Sequence, residues 1–212
     1  MASADVSARV GEEHADEFRV LELGLLLLFG FGASMVASLY SQWHPLHAVH
    51  RMRESLDDLA AALPALCLLV YVLGRRGLRL RDLGLTARWS DLVAGLALAV
   101  IGSRLVRPSG HLSTSALAPL TLVIVFLRAA HEELIVRAYM MTEVAELTGS
   151  AFLAVMGSTC FQALYHLYQG REAALRAAGT FLIFSVFYWK TRRATPLVLG
   201  HFGHNLWIYL HH

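Results

Sequence analysis

Apolar residues fall in long runs separated by short polar stretches. A helix needs about 20 mostly apolar residues to cross about 30 Å of hydrocarbon. On that measure the pattern predicts spans over 20–40, 59–73, 92–106, 116–147, 151–168, 177–189 and 196–210. The fourth run is too long for one simple crossing, so we expect it to be tilted or broken near Arg128–Glu133. Several others are short, which is tolerated where spans line a protein-enclosed cavity. Thr195-Pro196 reads as the start of the last helix, a hydroxyl ahead of a first-turn proline. Residues 1–18 are polar and mixed in charge, unlike the basic start of a secretory signal. We expect a polar N-terminal segment over 1–18, then one membrane domain over 19–212 whose first span is not cleaved.

Composition supports this picture. Of 212 residues, 56% are hydrophobic and only 16% charged, which excludes a disordered chain. The fold expected is an all-α, polytopic membrane bundle of about seven transmembrane helices around a polar intramembrane cavity. A net charge of +2 gives no reason to propose a nucleic-acid partner. Basic residues cluster at Arg75, Arg76, Arg79, Arg81 and Arg88, and again at Lys190, Arg192 and Arg193. An even number of expected spans separates the clusters, so they share a side, and the positive-inside rule makes it cytoplasmic, with the N-terminus. Arg51, Arg53, Arg171 and Arg176 fall on the opposite side and weigh against that orientation. Cys67 and Cys160 lie in apolar runs, where buried, unreactive thiols are expected.

The candidate chemistry is concentrated at Glu132-Glu133. A charge at the centre of a membrane helix costs about 2.5–3.5 kcal/mol, so ionisable groups kept there are expected to be used. Glu133 and Arg137 are spaced i, i+4 with the acid first, the favourable order for a pair. Glu132 points about 100° away, with Arg128 one turn earlier as its candidate partner. His166 lies near the end of the fifth run. His201 and Asn205, four apart on the last helix, share a face and can present two donors to a developing oxyanion. His204 is expected to pack between helices, His211 and His212 to be solvated, and His44, His47, His50 and His111 to lie in loops. His131-Glu132 starts the zinc pattern H-E-x-x-H, but position 135 is Ile, so that reading fails.

Glu132, Glu133 and Arg137 match E-E-x-x-x-R, His166 ends a second motif, and His201 and Asn205 match H-x-x-x-N. In this order, across about residues 82–210, they resemble the CAAX protease and bacteriocin-processing (CPBP) family of intramembrane proteases, which includes the type II CAAX prenyl endopeptidases. The second motif is commonly F-x-x-x-H; here Gln162 holds the Phe position and Phe161 is one residue early. The run His166–Gly170 resembles bacterial members. The resemblance implies an intramembrane endopeptidase of a bacterial inner membrane, acting near the C-terminus or anchor of a membrane-embedded or lipid-modified protein or peptide. It implies Glu132 as general base, His166 helping to hold water, His201 and Asn205 stabilising the oxyanion, and Glu133 with Arg137 organising the site. A metal-free glutamate mechanism is favoured, no cofactor being required; the other option is Zn2+ on Glu132, His166 and His201. The alternatives are a non-enzymatic bacteriocin-immunity protein, or a small transporter relaying protons.

Overall fold

The computed structural model describes residues 2–43, 51–105 and 119–211, with side chains at 15–43, 62–105 and 119–211. His44, His47, His50, His111 and His212 lie outside the described residues. The described residues form α1 (Ala2–Tyr40), α2 (Arg51–Arg75), α3 (Trp89–Leu105), α4 (Pro119–Glu132), α5 (Met140–Thr148), α6 (Ala151–Tyr165), α7 (Arg171–Thr191) and α8 (Thr195–Leu210), and they contain no strand. The all-α expectation holds.

The seven-span expectation is not confirmed at that level of detail. Among the described residues one helix is long and apolar enough to cross a membrane, over Ala15–Tyr40, and Ala62–Arg75 and Ala151–Tyr165 form shorter apolar helices. The reason is length as well as polarity: α3, α6 and α8 have 17, 15 and 16 residues. At about 1.5 Å per residue they fall short of a bilayer's roughly 30 Å. The polar N-terminal residues and the first apolar run belong to one helix, α1.

Large apolar side chains stand exposed on several helices, among them Phe29 and Val36 on α1, Val93 and Leu96 on α3, Val123 on α4 and Phe152 on α6. Exposed large apolar side chains of this kind fit a lipid-facing surface. Cys67 and Cys160 belong to this outer surface. The expectation that they are buried is corrected.

The helices that carry the site are packed closely. α8 lies along α3, α6 along α7, and α4 touches both α2 and α8. A Cβ at Gly95 would come within 2.8 Å of Leu199 Cβ, and one at Gly200 within 2.7 Å of Leu98 Cβ. Small residues at these crossings let the two backbones approach, as at many membrane helix interfaces. His204 is buried at this crossing, with Nδ1 3.2 Å from where a Gly102 Cβ would sit, and so packs between helices as expected. His211, expected to be solvated, is half-buried, with Nδ1 2.7 Å from the Trp207 carbonyl oxygen.

Both basic clusters lie at one end of the bundle. The Gly84 carbonyl accepts from Ala194 N at 2.9 Å, and Thr86 N donates to Thr195 Oγ1 at 2.9 Å. Gly84 has φ +84° and so close an approach to Arg192 that no side chain fits. Nearby, buried Glu143 on α5 accepts from Arg19 Nε of α1 at 2.9 Å and from Arg76 Nη1, just past α2, at 2.7 Å. Burial works against the charge of Arg76, but the hydrogen bond and charge of Glu143 outweigh it and raise its pKa above the usual arginine value.

Candidate active site

The site grows from a change of helix geometry. α4 is α-helical to Glu132, and the next seven residues, Glu133–Tyr139, form a fully buried π-helix. The Met140 N–H bonds back to the Ile135 carbonyl, five residues earlier. π turns are rare and collect at functional sites. The fourth apolar run is therefore not interrupted near Arg128–Glu133; it widens there. Continuous backbone hydrogen bonding explains this, because a break would leave polar backbone groups unpaired in an apolar interior.

The wider turn keeps the predicted pair together. Arg137 Nη1 lies 3.4 Å from Glu133 Oε1, both side chains wholly buried. The guanidinium stands 4.3 Å from the centre of the Phe181 ring, a favourable seat for a desolvated cation. Glu133 Oε1 also meets His201 Nδ1 at 2.7 Å. An ionised carboxylate only accepts, so Nδ1 carries the proton and donates. His201 Nε2 is left facing Glu132 Oε2 at 3.8 Å.

Glu132 has different neighbours. Arg128 Nε donates to its Oε1 at 3.2 Å, the partner expected one turn earlier. The buried Tyr165 hydroxyl donates to its Oε2. Gln162, wholly buried, sits between the two carboxylate systems. Its neighbours fix the amide orientation: the oxygen accepts from Arg137, at 3.1 Å for Nη2, and the nitrogen donates to Tyr165 Oη.

His166 terminates α6, its ring 4.3 Å from that of Tyr165 and stacked on Phe181 at 5.2 Å. Phe181 is also 5.6 Å from His201, so one ring walls Arg137, His166 and His201 together. His166 Nδ1 is buried with no hydrogen-bond partner among the described residues. His131, beside Glu132, is turned away and stacks on Phe31 of α1 at 4.4 Å.

The structure thus brings Glu132, Glu133, Arg137, His166 and His201 together. Asn205 lies one turn past His201 on α8, half-buried and outside this hydrogen-bonded cluster. Tyr165 and Gln162 are the residues that sequence reasoning missed. The available signal was an amide at the motif position usually held by Phe, with a tyrosine three residues later on the same helix face.

Of the residues expected for zinc, Glu132 has both oxygens engaged by donors, one of them cationic, whereas His201, held at Nδ1 by Glu133, keeps Nε2 free as a ligating histidine would. Among the described residues no three His, Cys, Asp or Glu side chains are grouped to hold a metal.

A model of the type II CAAX prenyl endopeptidase Rce1-like family matches residues 113–207. Comparison with curated proteins and with solved structures yields no match. The matched stretch holds Glu132, Glu133, Arg137, His166, His201 and Asn205, in the order of the three motifs. Over residues 113–207 the chain is similar to the type II CAAX prenyl endopeptidase Rce1-like family.

Proposed function

We propose that the protein is an intramembrane endopeptidase that hydrolyses a peptide bond near the C-terminus or membrane anchor of a lipid-modified or membrane-associated protein, by glutamate-activated water. The family match supports proteolysis, and the family's name points to prenylated C-termini as a substrate class. The observation that carries the mechanism is the division of labour between adjacent carboxylates. Glu133 is spent on Arg137 and His201. Glu132 meets Arg128 and a neutral phenol and faces the free edge of His201.

In this reading a water is held between Glu132 and the imidazoles of His166 and His201. Glu132 takes its proton as the water oxygen attacks the scissile carbonyl carbon. His201, oriented through Nδ1 by Glu133, and Asn205, one turn along the same helix, stabilise the oxyanion. The C–N bond then breaks, and Glu132 returns the proton to the leaving amine. The convergence of Arg137, His166 and His201 on one ring, Phe181, with Glu132 facing His201, supports chemistry at one site over a proton relay strung through the bilayer.

The test is terminal proteomics of membranes from cells carrying the wild type or Glu132→Gln at matched expression. New protein termini that appear only with the wild type are expected, and they name the substrate. Identical profiles would reject the protease.

A further inference from the structure

We infer that Tyr165 is a positioning residue for the reaction, its hydroxyl fixing the carboxylate of Glu132 at the end of a strut that runs from Arg137 through Gln162. The inference rests on the protease reading of the same site.

Tyr165 is anchored at both ends. Its carbonyl accepts from Ser38 Oγ of α1, a wholly buried hydroxyl. Its ring packs 5.3 Å from Phe31 and 6.1 Å from Phe161. A phenylalanine would satisfy that packing. The hydroxyl is an added cost in an apolar interior unless it is hydrogen-bonded, and its partners are Glu132 and Gln162. Gln162 in turn is held by Arg137, the cation that also pairs Glu133.

The strut links the group that organises the site to the group proposed as base. Arg128 reaches Oε1 of Glu132 from a half-buried position, whereas Tyr165 holds Oε2 from a buried one. Oε2 is also the oxygen that faces His201. Without the phenol, the carboxylate can rotate about its last torsion, a broad and soft one, and the oxygen that takes the proton is no longer aimed. Gln162 at the usual Phe position is then functional: an aromatic there could not relay a hydrogen bond from Arg137 to Tyr165.

The test uses purified full-length protein and a fluorogenic peptide spanning the cleavage site that terminal proteomics identifies. Tyr165→Phe is expected to lower kcat about 10- to 100-fold, the loss of one hydrogen bond to a charged group. KM should stay within about twofold of wild type, because positioning acts on the transition state. An unchanged kcat in folded Tyr165→Phe, or a raised KM with kcat intact, overturns the inference. Should Tyr165→Phe fail to fold, Gln162→Met decides: a kcat loss of several-fold supports the strut, and wild-type kcat overturns it. Glu132→Gln is assayed alongside. If it is inactive while Tyr165→Phe turns over normally, only the positioning role fails. If Glu132→Gln is active, the base reading fails and the inference falls with it.

Discussion

Replacing Arg137 by Met tests whether the pair beneath the site is structural as well as chemical. Arg137 is wholly buried and meets three groups: Glu133 at 3.4 Å, the Gln162 amide, and the Phe181 ring at 4.3 Å. Removing one partner of a buried ion pair costs about 3–5 kcal/mol, because it leaves a charge without compensation. Glu133 would keep His201 at 2.7 Å, so the lower end, about 3 kcal/mol, applies. Methionine fills part of the stem's volume and keeps the loss electrostatic in origin. For a chain of this size each kcal/mol moves Tm by roughly 2–4 °C, giving a fall of about 6–12 °C.

The assay is thermal unfolding of detergent-solubilised protein, for Arg137→Met, Glu133→Gln and the double variant. The double variant should be less destabilised than the sum of the singles, since with both partners gone no charge is stranded. A Tm for Arg137→Met within about 2 °C of wild type, or strictly additive singles, would refute the view that Arg137 and Glu133 stabilise each other.

Glu143→Ala should lower Tm by about 4–8 °C, because it removes the buried carboxylate that joins Arg19 and Arg76 and unties α5 from α1 and the end of α2; the same thermal assay reads it, and an unchanged Tm would show that the clamp contributes nothing. Gly95→Ala should cost about 1–3 kcal/mol by overpacking and reduce turnover, since the new methyl meets Leu199 Cβ at 2.8 Å and displaces the helix that carries His201. Normal turnover in that variant would mean that the α3–α8 approach does not set the position of His201.

The pieces of the site that were legible in the sequence are those whose partners lie within one turn. Glu133 with Arg137 and Glu132 with Arg128 follow from i, i+4 spacing alone, and both pairs are present. Glu133 with His201 does not follow, for 68 positions separate them and only the packing of α8 against α4 brings them together. The π turn has no sequence signature either. It is selected by what the wider turn buries, which no local propensity records. The role of Gln162 was visible only as a gap, a polar side chain where an aromatic was expected.

The wrong placement of Cys67 and Cys160 has a more general cause. In a soluble helix the apolar stripe marks the core, because the opposite face must satisfy water. In a helix surrounded by lipid both faces are apolar, since hydrocarbon tails are no less apolar than a protein core. Apolar periodicity then stops reporting which face turns inward: on α6, Cys160 faces out while Gln162, two residues on, is wholly buried. What does report the inside of such a bundle is polarity. The buried polar residues Glu132, Glu133, Arg137, Gln162, His166 and His201 mark the interior faces of α4, the π turn, α6 and α8. In this chain the residues that locate the core are the same ones that locate the chemistry.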